Sequence, residues 1–360
     1  MNNASSSPLQ ILIALVFVVI PGLLVAQSPA ASPAITPSIS PTATPSPSPA
    51  LSSPTSPTPS VKQETTASFP IPTSGTVPPI ITAKSALLFD AQTGKIILKH
   101  SENEPRPVAS TQKLLTALII VESGDLDKPV IIDKSDTMAT PTKLGIRAGE
   151  TYTRKGLLVA LLVKSANDAA IALARDNAGS IPAFAEKMNR RMEELQGTSS
   201  HFVNPNGLPC DTQYSTARDM AIVARTAYGN PLIREIINYR VVKFRLNSGK
   251  TILLQNTNHL LRDYSFCNGM KTGYTEKAGH CLIASGHWDG RDVIAVILGE
   301  PDRSKIWKDG LSLVSYGLGL TPEQVQAARL TPPPKAKKSS SSKKSSSSKP
   351  RKHTKKYTRH

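Results

Sequence analysis

From Gln27 to Pro79 the chain is rich in Ala, Ser, Thr and Pro, with prolines at short, irregular intervals. This stretch limits the fold more than any motif does. A segment of that composition buries too little apolar surface to offset the entropy of ordering it, and its prolines favour extended polyproline II. At about 3.1 Å per residue it reaches at most ~160 Å, which suits a spacer holding a domain away from a surface. A stretch with no specific role has the same composition. On either reading, folding is confined to the chain that follows.

Ahead of this stretch, residues 9–26 (LQILIALVFVVIPGLLVA) form an uncharged apolar run of signal-peptide or short-anchor length. No Lys or Arg precedes the run and Pro21 interrupts it, so a leader cut after Ala26 and an uncleaved anchor both stay open. Both imply export. At the other end, Lys335 to His360 carries eleven Lys and Arg and no acid. Residues 1–80 are neutral (Lys62 against Glu64), so of the formal +17 only +6 belongs to residues 81–334. Such a tail suits an anionic wall polymer or a phospholipid surface. Nucleic acid, the generic partner of a Lys-rich run, conflicts with export. The expected organisation is a leader or anchor over 1–26, a disordered linker over 27–80, one folded domain over 81–325 and a disordered basic tail over 326–360.

The folded part reads as alternating elements. SALLFD, AQTGK and IILKH form a β-hairpin over residues 86–100. From Ser110 a buried helix follows, because Leu114, Leu115, Leu118, Ile119 and Val121 supply more apolar positions than one face needs. KPVIID (128–133) and TKLGIRAG (142–149) read as short edge strands and loops. RKGLLVALLVKSANDAAIALARDNAG is apolar at helical spacing but carries Ser, Asn and Asp near its middle, which favour caps and turns. Two helices joined by a loop at Ser165-Ala166-Asn167 are therefore expected. A helix over 182–196 and an Asn-Pro-Asn-Gly turn come next. A further helix starts at Ser215 and Thr216, where Thr216 with Asp219 resembles a capping box, so Ser215 is read first as a cap. A hairpin over 240–246 and 250–254, two or three long strands around CNGMKTGYT and HCLIASGHWDGRDVIAVILG, and a closing helix WKDGLSLVSYGLG complete the domain. Strands at both ends with helices between them indicate an α+β fold: one antiparallel sheet flanked by helices, plus a helical cluster. Three cysteines (Cys210, Cys267, Cys281) allow at most one internal disulfide, their spacing is not that of a zinc site, and no His-Glu-x-x-His occurs. No metal and no cofactor are expected.

Three short elements carry chemistry. Ser110 and Lys113 lie one helical turn apart on one face, so an amine can reach a hydroxyl beside the free N–H groups of a helix start. Alone, Ser-x-x-Lys is weak: it recurs in the tail at Ser340/Lys343, and Ser110 reads equally as an N-cap. Ser165-Ala166-Asn167 alone is a helix-breaking cap, and Lys271-Thr272-Gly273 alone is a hairpin approach with an exposed lysine. Found in this order at a helix N-terminus, an interhelical loop and a strand, the three reinforce one another.

Together they resemble the signature of class A β-lactamases and penicillin-binding proteins. The chain is also similar to the D-alanyl-D-alanine carboxypeptidase family, the low-molecular-weight penicillin-binding proteins. LLFDAQTGKIILKHSENEPRPVASTQKLLTAL, LLVALLVKSANDAAIALA, HFVNPNGL, STARDMA and NGMKTGYTEKAGHCLIASG carry that resemblance, over about residues 84–318. A basic tail stands where larger members have an all-β domain and an amphipathic anchor helix. The resemblance implies a DD-peptidase/β-lactamase-like transpeptidase fold and removal of the terminal D-Ala from peptidoglycan stem pentapeptides in the periplasm or cell envelope. Under it, Ser110 attacks and forms an acyl-enzyme, Lys113 takes its proton, and Ser165 relays a proton to the leaving D-Ala. Asn167 binds substrate backbone and orients Lys113. Lys271 and Thr272 hold the terminal carboxylate, Gly273 lets substrate lie along the strand, and the backbone N–H groups of Ser110 and Tyr274 form the oxyanion hole. β-Lactam antibiotics are the implied covalent inhibitors. An arginine that many members place on the closing helix falls by length at Ile306, with Arg303 and Lys305 nearby, and that assignment stays open.

Rival readings share the motifs. A D,D-endopeptidase acting on cross-links uses the same machinery with another leaving group. A serine β-lactamase needs a deacylating glutamate, and Glu186 with Asn189, the tempting pair, sits in ordinary helical context. A non-catalytic wall-binding module conflicts with intact Ser110, Lys113, Ser165 and Lys271. No Gly-x-Ser-x-Gly elbow supports a Ser-His-Asp hydrolase.

Overall fold

The computed structural model describes residues 77–331. The expectations for the leader, nearly all of the linker and most of the basic tail fall outside them. In chain order the elements are β1 (Ser85–Asp90), β2 (Ile96–His100), α1 (Lys113–Glu122), β3 (Pro129–Ile131), β4 (Thr151–Thr153), α2 (Arg154–Val159), α3 (Asn167–Ala178), α4 (Ile181–Glu194), α5 (Ala217–Gly229) and α6 (Pro231–Ile237). Then come β5 (Val241–Arg245), β6 (Thr251–Gln255), α7 (His259–Asp263), β7 (Cys267–Thr275), β8 (Gly279–Trp288), β9 (Arg291–Glu300), α8 (Lys305–Leu318) and α9 (Pro322–Ala327).

The main sheet has five strands in the order β2-β1-β9-β8-β7, with every neighbouring pair antiparallel. The first hairpin and the last three strands thus meet where β1 pairs with β9, Leu88 opposite Ala295. β8 and β9 read as continuous apolar runs because both of their faces are covered. On one face α8 packs Leu313 and Val314 against Leu88, Leu282 and Ile297. The other face meets the helical cluster, whose centre is α1, with Leu114, Leu115, Ala117, Leu118 and Ile120 all buried. Burying about five such side chains contributes on the order of 10 kcal/mol before chain entropy is subtracted. The α+β expectation and the sheet-plus-cluster arrangement match this architecture. β7, the strand of Lys271-Thr272-Gly273, lies at the edge of the sheet, where one row of its backbone groups has no partner strand.

Several local expectations differ. Ser110 lies not in the α-helix but in a 3-10 turn, Ala109–Gln112, that leads into α1. The 142–149 stretch is no strand; β3 pairs with β4 instead. Asp168 at the start of α3 accepts hydrogen bonds from the Leu144 and Gly145 N–H groups, both at 2.8 Å, and so gives this loop side-chain acceptors in place of a ladder. α2 runs on into a wide π-turn, Ala160–Lys164, that ends at Ser165. Helices α6, α7 and α9 were not anticipated; Asn230, Asn258 and Thr321 cap them. Ordered chain also continues past residue 325, since the Leu330 N–H donates to Asp263 O at 2.8 Å. At the opposite end the approach to β1 is tied to α8. The N–H groups of Thr82 and Ala83 both donate to Asp309 Oδ2 at 3.0 Å, and the Thr82 hydroxyl donates to Glu300 at 2.6 Å.

Candidate active site

Ala109 has φ +49, a left-handed conformation that turns the chain so that Ser110 and Lys113 face the same side. Gly207 makes this possible. With φ +80 it lies against the turn so closely that a Cβ there would be 2.0 Å from Ala109 O. Next to it, the Asn206 carbonyl accepts from Lys113 Nζ at 2.6 Å and from the Ser110 hydroxyl at 3.2 Å.

Lys113 is completely buried. Its Nζ lies 2.8 Å from Ser110 Oγ and 2.8 Å from Asn167 Oδ1. The amide of Asn167 is itself oriented, because its Nδ2 donates to Thr140 O at 3.1 Å. Asn167 Oδ1 and Asn206 O can only accept. When uncharged, the amine has two N–H bonds; once these two acceptors take them, its lone pair is free for the Ser110 proton, which must then turn from Asn206 O to Lys113 Nζ. Burial, and then the nearby charge of Lys271, hold the Lys113 amine well below the ordinary lysine range.

Lys271 is also fully buried, and burial pushes it down to about 7. Its Nζ donates to Ser165 Oγ and to Thr272 O, each at 2.8 Å, and among the described residues no carboxylate pairs with it. Ser165 itself adopts a left-handed conformation, φ +65, at the end of the π-turn. That sparsely populated geometry aims its hydroxyl at the Lys271 amine. Thr272 Oγ1 lies 2.6 Å from Thr257 Oγ1 in the segment between β6 and α7.

Gly273 is required by the protein's own packing. A Cβ there would come within 2.8 Å of Ser110 N and 3.1 Å of Thr111 N. The Ala109–Gln112 turn therefore rests directly on β7, bringing the Ser110 amide beside the edge strand that carries Tyr274. The Tyr274 ring is exposed and stacks on His280 at 4.4 Å.

The residues of the three motifs, with Tyr274, thus converge on one cleft. Ser110, Ser165, Thr272, Gly273 and Tyr274 line it, Lys113 and Lys271 are buried, and Asn167 holds Lys113. Sequence reasoning missed the Asn206 carbonyl, Thr257, the His259 ring stacked on Trp307 at 4.2 Å, and Lys164. The open assignment on α8 narrows. Arg303, just ahead of the helix, lines the cleft together with Ile306, whereas Lys305 does not. Asn189 exchanges hydrogen bonds with the backbone of Phe202 and Glu186 is exposed, so this pair is structural. The Ser215 hydroxyl is buried against Ser200 Oγ at 2.7 Å, away from the cleft.

Comparison with known proteins agrees with this geometry. The family model for D-alanyl-D-alanine carboxypeptidases matches residues 73–302. The chain is 36% identical over 222 residues to the D-alanyl-D-alanine carboxypeptidase DacF of Bacillus subtilis, covering 60% of this chain and 57% of that protein. It is 33% identical over 255 residues to DacB2 of Mycobacterium tuberculosis, covering 69% of this chain and 87% of that protein. The chain thus spans little more than half the length of DacF, but most of DacB2. Among solved structures, a D-alanyl-D-alanine carboxypeptidase of Mycobacterium tuberculosis superposes with TM-score 0.66 at 29% identity, covering 71% of this chain and 98% of that one. The fold is that of the DD-peptidases, and by the extent of these matches the chain belongs to the D-alanyl-D-alanine carboxypeptidase family.

Proposed function

We propose that the chain is a serine-type carboxypeptidase that removes the terminal D-Ala from peptidoglycan stem peptides. The observation that carries this reading is the buried Lys113 amine, held by Asn167 Oδ1 and Asn206 O with its Nζ 2.8 Å from Ser110 Oγ. Lys113 takes the hydroxyl proton as Ser110 Oγ attacks the carbonyl of the penultimate D-Ala. The N–H groups of Ser110 and Tyr274 receive the oxyanion. Lys271, Thr272 and Arg303 take the terminal carboxylate, whose charge returns Lys271 to its protonated form. As the tetrahedral intermediate collapses, the C–N bond breaks and the proton held by Lys113 passes through the Ser165 hydroxyl to the departing amine, leaving Lys113 neutral again. Water then cleaves the ester, Lys113 accepting the water's proton and returning it to Ser110 Oγ as the acid departs.

Among the described residues no Asp or Glu lines the cleft to activate a deacylating water, so penicillin acylates Ser110 and stays bound, which separates this reading from a β-lactamase. The apolar run over 9–26 and the Pro-rich stretch support an exported enzyme of the bacterial periplasm or cell envelope. The basic tail supports contact with an anionic wall or membrane surface. Labelling with a fluorescent penicillin, mass mapping of the adduct and release of D-Ala from a pentapeptide test the reading. An adduct on any residue other than Ser110, or no D-Ala release by labelled-competent protein, would refute it.

A further inference from the structure

The cleft has a volume of about 650 Å3, typical of pockets for drug-sized ligands, and among the described residues no Asp or Glu lines it. Past Thr272 its wall continues through His259, flat on Trp307, to Arg303. Its helical wall includes Lys164, the residue just before Ser165. Lys164 is half-buried, and among the described residues its ammonium has no hydrogen-bond or ion-pair partner. The π-turn that ends in Lys164 packs against β6, and Thr257, two residues beyond β6, meets Thr272. Lys164 therefore lines the same cleft as Ser165 and Thr272, the residues that meet the leaving amine and the terminal carboxylate in the mechanism above. A lysine held in an acid-free cleft finds its counter-charge in what binds there.

We propose that Lys164 pairs with a second carboxylate on the leaving group, so that the enzyme favours leaving groups that are dicarboxylic over those that are basic. This rests on the carboxypeptidase reading and deepens it. Two sources carry that chemistry: a terminal D-dicarboxylic residue, or the acidic amine-bearing stem of a neighbouring strand.

Acyl-D-Ala-D-Glu, acyl-D-Ala-D-Ala, acyl-D-Ala-D-Lys and a cross-linked stem dimer, given to the full-length protein, test it. The expected kcat/KM for D-Glu exceeds that for D-Lys by at least about fivefold, the order of a partly screened charge pair. Lys164→Gln brings that ratio close to one, Lys164→Arg keeps it, and 1 M salt shrinks it in the wild type. A ratio near one in the wild type, or one that survives in Lys164→Gln, overturns the proposal and leaves the peptidase reading standing. If no peptide is cleaved although penicillin still labels Ser110, the peptidase reading itself falls and takes this proposal with it. Penicillin labelling of each variant reports folding, and Lys164→Arg retains a readout should Lys164→Gln misfold. Lys164-dependent cleavage of the dimer identifies the neighbouring stem as the source; dependence confined to the D-Glu peptide identifies the terminal residue.

Discussion

Two buried lysines without a carboxylate between them are costly, and on the proposed mechanism that cost is the source of the chemistry. Lys113 acts as a base only when uncharged, and Lys271 grips a carboxylate only when charged. Acylation by penicillin should therefore climb as pH rises through the lowered pKa of Lys113 and decline once Lys271 loses its proton. A rate that stays flat from pH 5 to 9, measured by stopped-flow labelling, would sink that assignment. The same burial predicts a stability effect. The folded pKa of Lys271, about 7, lies below the ~10.4 of an unfolded lysine. Between those values the unfolded chain binds more protons, so stability rises with pH across that window and the penalty is complete below it. Lys271→Met should thus be inactive yet more stable than wild type at pH 6, by about 1 kcal/mol, with the gap closing toward pH 10 in urea titrations. Ser110→Ala should lose acylation by ~1000-fold or more with little change in melting temperature. The side chains of this set were readable because Ser110 and Lys113 sit one turn apart and the other two motifs kept their order. The Asn206 carbonyl was not, since any residue type carries a backbone oxygen and only the folded turn aims it.

At the level of elements, periodicity revealed what was long and missed what was short. α1, α5, α8 and the paired strands β7, β8 and β9 are long enough for their apolar spacing to declare itself. α7 has five residues and α9 six, too few for a period, and each is held by its cap. The 142–149 segment looked strand-like from its apolar residues, but the Asp168 carboxylate satisfies the Leu144 and Gly145 N–H groups, and only Gly149 bonds to the backbone extending β3. The contact between the Asn204–Gly207 turn and the nucleophile turn is the most sensitive joint. Gly207→Ala places a methyl against Ala109 O at a left-handed position, and it should cost more than about 2 kcal/mol and slow acylation ~100-fold or more. Chemical denaturation and labelling rates of this variant check both effects; near-normal values would show that the two turns can separate without harm.

For the molecule as a whole, the α+β class and the placement of helices around one sheet followed from the order of elements alone. Which walls close the cleft did not, because Lys164, Thr257 and Arg303 come from three distant segments that only the packed domain brings together. The sequence allowed one disulfide; Cys210, Cys267 and Cys281 are all free thiols, and burial pushes Cys267 up to about 12 and Cys281 up to about 11. Reductant should accordingly leave the melting temperature unchanged to within about 1 °C, where losing a native disulfide costs ~2–5 kcal/mol. A larger drop on adding dithiothreitol would reveal a cross-link. The Asp309 carboxylate that fastens Thr82 and Ala83 also fixes where the chain can be trimmed. A shortened version starting after Ala83 would strand that acid beneath α8, next to the wall that Arg303, Ile306 and Trp307 supply. Any compact derivative made for inhibitor screening needs Thr82 as its seam.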